Sequence, residues 1–416
     1  MTTIILKPKK EEAALRFHPW VFSGAIQKIV LDKNYPYSEP QEGELVKIVD
    51  SNGKILGVGH YQIGSIAVRI LAFGTDTLPA DFFEQRIRAA YQMRQSINLI
   101  RDDNNTYRLI HGEGDSLPGL VVDVYADTAV VQAHSVGMHR CRQTIASAIV
   151  KVVQEVKNVY YKSDDTLPFK AEIEGEKTGY LVKEERKRME EEGAFWATEN
   201  GLDFRIDWLR GQKTGFFIDQ RENRALLERY AKGKDVLNMF CYTGGFSVYA
   251  LRGGAKSVDS VDVSEKAVEL VNKNVERNFS QLKIQNSKFK IPHHAYAKEA
   301  FEFMADIKDK YDLIILDPPA FAKHRDAIKN ALRGYQRLNA KGIEQIRPGG
   351  IIFTFSCSQA IDKDMFRLAV FSAAAQVGRK VRILHQLHQP QDHPINIFHP
   401  EGEYLKGLVL QVDADN

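Results

Sequence analysis

The sequence predicts an α/β protein whose carboxyl-terminal part is a doubly wound parallel sheet. Three apolar, strand-like segments carry this prediction, at residues 236–238, 313–316 and 351–355. Each ends in a polar turn, and helix-like segments alternate with the strands, as in sheets that are covered by helices on both faces. Because such sheets bind ligands beyond the carboxyl ends of their strands, the three turns should gather around one site.

Two smaller regions are predicted before this sheet. Residues 1–73 contain short strand-like segments separated by turn residues, which indicates a small β-barrel, and residues 74–200 mix a helix with strands. The third region, residues 201–416, begins with hairpin-like strands and contains the parallel sheet. A charged run at 183–192 is typical of a solvated helix. The segments behind these assignments are the strands 44–49, 54–59, 66–71, 120–124, 129–134, 194–198 and 202–207, and the helix 81–98.

Composition excludes several classes of protein. The chain has 416 residues, of which 44% are apolar, so it can bury more than one core. A net charge of +3 means that affinity for polyanions must come from local patches. Three cysteines form no disulfide framework and favour a reducing compartment. Since neither a signal peptide nor a membrane-spanning run is present, we expect a cytoplasmic protein without a membrane partner.

The turn after the first parallel strand predicts a nucleoside-binding loop. In Thr243-Gly-Gly245 the glycines let the backbone approach a ligand closely. Asp262 follows about twenty residues later, at the end of the next strand, where a carboxylate can bind ribose hydroxyls. The G-x-G-x-x-G pattern that seats a pyrophosphate is absent. These observations favour S-adenosylmethionine (SAM), which carries no phosphate, over a dinucleotide.

The turn Asp317-Pro-Pro-Ala-Phe321 predicts the site of the reaction. Two prolines after a buried strand stiffen a loop that projects Asp317 towards a planar substrate, and Phe321 is suited to stack on a base. Holding a base in line with a methyl donor lowers the barrier by about 7–11 kcal/mol through proximity. Methyl transfer to a nucleic-acid base is therefore the predicted chemistry.

Several motifs along the chain resemble those of one family. In the same order, they resemble motifs of the bacterial large-subunit ribosomal RNA methyltransferases of the RlmI type, which act on C5 of cytosine. The resemblance covers nearly the whole chain. The motifs are Leu6-Lys-Pro, His18-Pro-Trp-Val-Phe-Ser-Gly-Ala-Ile26, His111-Gly-Glu-Gly-Asp-Ser-Leu-Pro-Gly-Leu120, Lys213-Thr-Gly-Phe-Phe-Ile-Asp-Gln-Arg221, Thr243-Gly-Gly, Asp317-Pro-Pro and Ser356-Cys-Ser358.

The resemblance implies an RNA-binding PUA barrel, a small central α+β domain and a Rossmann-like class I methyltransferase domain that uses SAM. It also implies that Asp317, Pro318, Pro319 and Cys357 face the target base, and that large-subunit ribosomal RNA or its precursor is the partner. The predicted cofactor contacts are Phe217, Asp219, Gln220, Arg221, Asn238, Tyr242, Thr243, Gly244, Gly245, Asp262, Val263, Glu299 and Asp317. Glu299 stands where the family usually has aspartate. No metal site is predicted.

Cys357 determines which atom is methylated. C5 of cytosine becomes nucleophilic only after a thiolate adds to C6, and Cys357 fits that role. We expect nearby positive charge or hydrogen bonds to lower the pKa of its thiol. The alternative is an ordinary buried cysteine, which is the role predicted for Cys241 and Cys141. Related enzymes carry a second cysteine where Pro319 and Ala320 stand, so the base that removes the C5 proton stays open.

A basic stripe follows the Asp317 turn. Arg325, Lys329, Arg333, Arg337 and Lys341 recur every four residues, and like charges at this spacing repel on a helix. Phosphates lying against the stripe would offset that repulsion, so Arg325, Lys329 and Arg333 are predicted substrate contacts together with Phe321. The alternative is a solvated helix face.

Two other functions stay open at this stage. The first is methylation of an amino or ring nitrogen of guanine or adenine in RNA, for which the Asp317 turn would suffice without Cys357. The second is a non-catalytic RNA-binding factor that keeps the fold as a scaffold. The sequence leaves the target nucleotide undetermined, and a homodimer is an expectation only.

Overall fold

The amino-terminal residues form a six-stranded mixed sheet. The computed structural model describes residues 1–168, 175–183, 195–285, 291–322 and 325–414. The sheet has the order β2-β6-β5-β4-β1-β3, and alternate residues such as Ile4 and Leu6, or Val46 and Ile48, fill one core. Its elements are β1 (Thr3–Leu6), α1 (Glu12–Leu15), β2 (Trp20–Phe22), β3 (Ile26–Val30), β4 (Leu45–Val49), β5 (Ile55–Tyr61) and β6 (Ile66–Phe73).

A five-stranded sheet follows, with the order β11-β10-β9-β8-β7. Helices α2 and α4 pack on it through apolar stripes that include Ile87, Ile145 and Ile149. The predicted charged run 183–192 lies, apart from its first residue, outside the described residues. The elements are α2 (Phe82–Ser96), β7 (Thr106–His111), β8 (Leu120–Tyr125), β9 (Thr128–Ala133), α3 (Val136–Arg140), α4 (Arg142–Val152), β10 (Asn158–Lys162) and β11 (Thr178–Val182), after which come β12 (Phe195–Glu199) and β13 (Leu202–Ile206).

The carboxyl-terminal region contains a seven-stranded sheet of order β16-β15-β14-β17-β18-β20-β19. Strands β14 to β18 are parallel, and β20 and β19 add an antiparallel edge. The elements are α5 (Arg221–Tyr230), β14 (Asp235–Met239), α6 (Gly245–Arg252), β15 (Ser257–Asp262), α7 (Glu265–Gln285), β16 (His293–Ala297), α8 (Ala300–Phe303), β17 (Leu313–Leu316), α9 (Ile328–Gln345), β18 (Ile351–Ser356), α10 (Lys363–Val377), β19 (Val381–His388) and β20 (Lys406–Val412).

Helices cover both faces of the parallel sheet, so the predicted doubly wound class is confirmed. Successive residues of a strand point to opposite faces. In β17, Leu313 and Ile315 therefore pack with residues of α5 and α6, whereas Ile314 and Leu316 pack with residues of α9 and α10. This burial on both faces is why the parallel strands appear in the sequence as continuous apolar runs rather than as alternating ones.

The chain divides into two compact units. The first comprises Met1–Thr198, Ile206–Phe216 and Gln391–Gly402, and the second comprises Glu199–Arg205, Phe217–Pro390 and Glu403–Asn416. The segment Gln391–Gly402 packs with the first unit, although it falls within the predicted third domain. The division at 73 and 200 into three domains stays a prediction. Within the described part of the chain, no helix has the length and apolar character needed to cross a membrane.

Candidate active site

The candidate site lies at the carboxyl edge of the seven-stranded sheet, within the second unit. The chain runs from β14 outwards to β15 and β16, then returns to the other side of β14 as β17 and continues to β18. The strand order therefore reverses between β14 and β17. A crevice opens beyond the strand ends at such a reversal, and the turns after β14, β15, β17 and β18 surround it, as the sequence predicts.

The loop after β14 has a backbone that only certain residues tolerate. Tyr242 has φ +45° and Gly244 has φ +75°, and a Cβ atom added to Gly244 would overlap the side chain of Val271. Asn274 holds the loop from α7, since its Nδ2 donates to the carbonyl of Thr243 at 2.7 Å. Helix α6 then begins at Gly245. Gly244 is thus required both by the left-handed conformation and by the approach of α7.

Asp262 is fixed by backbone donors on both carboxylate oxygens. The amide of Tyr242 donates to Oδ2 at 3.0 Å, and the amide of Ser264 donates to Oδ1 at 2.9 Å. The side chain is half-buried at the end of β15. Each carboxylate oxygen accepts about two hydrogen bonds, so Asp262 retains capacity for two hydroxyl donors beside the β14 loop.

Asp219 holds a buried carboxylate oxygen that has no donor among the described residues. Its Oδ2 accepts from the hydroxyl of Tyr404 at 2.7 Å, whereas Oδ1 is buried and has no hydrogen-bond partner in the part of the chain that the structure describes. Two residues before Asp219, the ring of Phe217 lies edge-on to the ring of Tyr242, with centroids 5.2 Å apart. A buried carboxylate oxygen without a donor is costly, so this position suits the ammonium or hydroxyl group of a ligand.

A buried ion pair supports the loop that carries Asp219. Arg224 makes two hydrogen bonds to Glu199, at 2.9 and 2.7 Å, and donates from Nη1 to the carbonyl of Phe217 at 2.9 Å. Tyr249 adds a hydrogen bond from its hydroxyl to Glu199 at 2.9 Å. All of these charged groups are buried and paired, which gives the loop a fixed conformation. Arg221, the first residue of α5, is also buried.

Asp317 follows β17 as predicted, and its carboxyl group is an unusually weak acid. Burial and, next, the nearby charge of Asp219 raise the pKa of Asp317 to about 7. The side-chain amide of Gln220 donates to Oδ2 at 3.0 Å and opposes this rise. Gln220 is oriented in turn by Asn223, which donates to its Oε1 at 2.6 Å. Asp317 is therefore positioned by side chains and titrates near neutrality.

Cys357 follows β18 and is not activated in the way the sequence predicts. Burial, then the charges of Asp317 and Asp219, raise the pKa of the Cys357 thiol to about 12, so the expected lowering is wrong. Lys406 opposes the rise. Its ammonium group is buried and donates to the carbonyls of Ser358 and Tyr404, both at 2.7 Å. Burial lowers the pKa of Lys406 to about 8.

The side chain of Ser358 connects the turn that contains Cys357 with the turn that contains Asp317. Its hydroxyl accepts from the amide of Ala322 at 3.2 Å and lies 2.9 Å from the hydroxyl of Tyr335. The ring of Phe321 packs on the same tyrosine, with centroids 4.7 Å apart, and stays half-buried. Pro318 is buried and Pro319 exposed. The end of the Asp317 turn is thus connected to the cysteine turn through α9.

The remaining predicted residues lie farther from this arrangement or act within the fold. Asn238 is buried and its Nδ2 donates to Ser247 at 2.8 Å, which connects β14 to α6. Glu299 is exposed and caps α8 by accepting from the amide of Glu302. Val263 is 77% exposed.

The predicted phosphate contacts lie on and before α9. Lys329 and Arg333 lie on the exposed face of α9, whereas Arg325 begins a short 3-10 turn before that helix, and its side chain lies outside the described part of the chain.

Comparison with known proteins decides the family. A model of S-adenosylmethionine-dependent methyltransferases matches residues 187–401, and a model of PUA-like domains matches residues 4–73. A protein named ribosomal RNA large subunit methyltransferase I from Tolumonas auensis is 38% identical over 415 residues, which cover 99% of each chain. Its namesake from Shewanella frigidimarina is 38% identical and covers 98% of this chain and 99% of its own. The chain belongs to the ribosomal RNA large subunit methyltransferase I family.

Two solved structures share the fold of this methyltransferase. One, described as a SAM-dependent methyltransferase from Streptococcus mutans, has 21% identity and a TM-score of 0.78, and the alignment covers 99% of this chain and 100% of that one. The other, described as a methyltransferase and complexed with SAH, has 22% identity and a TM-score of 0.80 at the same coverage. At these identities the comparison concerns the fold alone. The predicted family, the PUA-like and methyltransferase regions and the SAM cofactor are confirmed by these findings.

Four residues that shape the site of this methyltransferase are not among those predicted from the sequence, namely Glu199, Arg224, Tyr404 and Lys406. Three of them lie in segments whose local pattern gave no indication of a partner, because their contacts join residues far apart in sequence. For Lys406, the sequence itself contains one indication of a role. It begins the apolar strand β20, and a lysine that is only 5% exposed in such a strand indicates a specific acceptor or a functional charge.

Proposed function

We propose that this methyltransferase transfers a methyl group from SAM to C5 of a cytosine in large-subunit ribosomal RNA through a covalent Cys357 adduct. The names of its relatives support ribosomal RNA as the substrate. One observation carries the cytosine chemistry: Cys357 and Asp317 directly follow the neighbouring strands β18 and β17, and both Asp317 and Lys406 act electrostatically on the thiol of Cys357. A nucleophile beside a proton acceptor and a cation is the arrangement that covalent catalysis needs.

The loops after β14 and β15 are the proposed cofactor site. Asp262 would accept the ribose hydroxyls, and the unpartnered Oδ1 of Asp219 would accept the ammonium group of the methionine part. Gly244 and Gly245 would let the backbone lie against the cofactor. The other predicted cofactor contacts stay predictions with the roles given by the resemblance. When bound, SAM supplies an electrophilic methyl group on a sulfonium.

Asp317 is the proposed proton carrier. With a pKa of about 7, its carboxyl group is partly ionised at neutral pH and can both accept and return a proton. In the proposed sequence the thiol proton of Cys357 passes through Asp317 to N3 of the base while sulfur bonds to C6. After C5 has taken the methyl group, the C5 proton leaves to water, the S–C6 bond breaks, and the N3 proton returns through Asp317 to sulfur.

Lys406 is the proposed positioning residue for the thiolate. An ammonium group has three donors, and carbonyl oxygens occupy two of those of Lys406. Its charge favours the ionised form of Cys357 and opposes the burial and the acidic neighbours that raise the thiol pKa. Lys406 would therefore hold the ionised sulfur during addition and again during elimination.

Exposed cations on α9 are the proposed contacts to RNA phosphate. Lys329 and Arg333 lie one helical turn apart on the exposed face of α9 and form no ion pair with the residues that the structure describes, whereas Arg337 stacks over Phe301 and Lys341 pairs with Glu344 at 2.9 Å. Among the described side chains of the stripe, Lys329 and Arg333 are thus best placed to neutralise phosphates. A precursor subunit as substrate, a homodimer and a cytoplasmic location stay predictions.

A second candidate function is methylation of a ring or amino nitrogen of guanine or adenine, held by the Asp317 turn. The raised pKa of Cys357 favours this alternative, because a thiol with a pKa of about 12 is almost fully protonated at neutral pH. Asp317 would then accept the proton that leaves the nitrogen.

The test is direct identification of the product. Purified protein is incubated with isotope-labelled SAM and with ribosomal RNA, which is supplied either as free RNA or within large subunits. The labelled nucleosides are then identified by mass spectrometry. We expect label in 5-methylcytidine. Label in a methylated guanosine or adenosine would establish the alternative, and failure to label any RNA would contradict both functions.

A further inference from the structure

Three side chains of the first unit converge away from the proposed reaction. His18, just before β2, and His399 each place Nε2 3.7 Å from Oε2 of Glu401. One ligand atom from each of the three residues lies within 4.8 Å of the others. His18 belongs to a motif that carried the family resemblance, and Glu401 lies in the 3-10 turn Pro400–Gly402 of the segment Gln391–Gly402.

The buried imidazole of His399 is the observation that indicates a ligand at this cluster. The side chain is only 3% exposed, yet neither ring nitrogen has a hydrogen-bond partner among the residues that the structure describes. The indole of Trp20 packs against the imidazole at a centroid distance of 4.3 Å, which fixes the plane of the ring. A buried imidazole carries one donor and one acceptor, and leaving both unsatisfied is unfavourable. Some partner beyond the described side chains is therefore expected at His399.

We propose that His18, His399 and Glu401 bind a divalent zinc ion. Two imidazoles and one carboxylate, with a fourth position left for water, form a known ligand set for zinc. Bonds of about 2.1 Å in a tetrahedron place ligand atoms about 3.4 Å apart, and both histidine nitrogens are already 3.7 Å from the glutamate oxygen. Small movements of the side chains complete the site. Glu401 is half exposed, which provides an entry path for the ion.

Trp20 contacts the cluster through its backbone and its indole. The amide of Trp20 donates to Nδ1 of His18 at 3.2 Å, and the carbonyl of Trp20 lies 3.4 Å from the same nitrogen. Binding of the ion at Nε2 moves the ring proton to Nδ1, so the amide contact is given up and Nδ1 donates to the carbonyl instead, which is the usual second contact of a zinc-bound histidine. The indole of Trp20 donates to Glu113 at 2.8 Å and so keeps its position against His399.

The expected consequence of zinc is structural. Gln391–Gly402 and the motif around His18 belong to the same compact unit but lie almost four hundred residues apart in the chain. An ion held by both fastens this segment to the sheet that contains β2, and the binding free energy adds to the stability of the unit. The proposal is independent of methyl transfer.

The test uses the full-length protein, stripped with a chelator and titrated with Zn²⁺ against a chromophoric chelator. We expect one tight equivalent in the wild type. Glu401→Gln, which alters an exposed carboxylate and leaves the core intact, and His399→Asn should each weaken it by more than about tenfold. His294→Ala is the matched control, because this histidine is 67% exposed in the second unit, and it should retain the site.

Cobalt titration identifies the ligands independently. Co²⁺ bound by nitrogen and oxygen gives visible d–d bands without a thiolate charge-transfer band, and we expect that spectrum in the wild type and its loss in Glu401→Gln. Absence of a tight equivalent in the wild type, equal affinity in Glu401→Gln, or a thiolate band from any of the three cysteines would each overturn the proposal.

Discussion

The two halves of the candidate active site hold their acidic groups in different ways. In the cofactor half, the loops after β14 and β15, Asp262 is bound by the backbone amides of Tyr242 and Ser264. In the target half, the turns after β17 and β18, Asp317 is bound by the side chain of Gln220 and lies near the charge of Asp219, and Lys406 acts on Cys357. The contacts to Asp262 depend on the conformation of the backbone. The contacts around Asp317 and Cys357 depend instead on side chains from four segments of the chain.

This difference corresponds to a division between cofactor binding in one half and the chemical step in the other. A carboxylate held by backbone amides is fixed in position and is suited to recognition of hydroxyl groups. A buried carboxyl group with few donors titrates near neutrality, and the thiol beside it stays protonated until a proton acceptor is available. The cofactor half should therefore respond to changes in loop conformation, and the target half to changes in charge.

The largest effect should come from Cys357→Ala. If sulfur forms the adduct, methyl transfer falls below detection while SAM affinity, measured by calorimetry, stays within about twofold, because the cofactor half is untouched. Cys141→Ala is the control, since this half-buried cysteine lies in the first unit. Near-normal turnover of Cys357→Ala would contradict covalent catalysis and favour nitrogen methylation.

Within the cofactor half, Gly244→Ala should cause the largest loss. An L residue at φ +75° costs roughly 1–2 kcal/mol, and the new methyl group also overlaps Val271, so the loop must shift. We expect SAM affinity to fall by more than about tenfold. Gly349→Ala is a matched control, because its φ of +77° imposes the same strain while nothing lies within 4 Å of the added carbon. Equal SAM binding by Gly244→Ala and wild type would contradict the assigned loop.

The same contrast explains what the sequence could predict. The cofactor half is local: Gly244 and Gly245 follow one strand and Asp262 ends the next, and the predicted place of Asp262 at the end of a strand agrees with β15, Ser257–Asp262. The pKa of Cys357 was predicted with the wrong sign, because it depends on burial and on Asp219 and Asp317, which are far from it in the chain. The antiparallel edge formed by β19 and β20 also escaped prediction, since pairing with β18 is set by tertiary contacts.

Lys406→Met tests the cation of the target half. The substitution keeps the length of the side chain and removes the charge that favours the thiolate, so we expect kcat to fall roughly 10²-fold with SAM affinity unchanged. The rate should recover partly at high pH, where the thiol ionises without help, and Lys406→Arg should restore more activity than methionine. Since Lys406 also donates to Ser358 and Tyr404, thermal unfolding is measured in parallel. A loss of stability without any change in the pH profile would assign it a structural role only.

Asp317 should set the acidic limb of the pH profile. Its pKa is raised to about 7, so the ionised form that accepts the thiol proton is present above pH 7 and is lost as the pH falls. Below that value we expect kcat to decrease by about tenfold per pH unit. Asp317→Asn should lower kcat and remove this limb. An unchanged limb in the asparagine variant would assign the titration to another group.

The smallest effect should come from the exposed face of α9. Replacing Lys329 and Arg333 together with alanine removes two cations that do not contribute to the core, so folding and SAM affinity should stay as in the wild type. If both neutralise phosphates, RNA affinity falls and the slope of log affinity against log salt concentration decreases by about one for each residue. Lys341→Ala is the control, because this lysine is engaged with Glu344. A slope equal to that of the wild type in the double variant would show that RNA binds elsewhere, and the basic stripe would then be a solvated helix face.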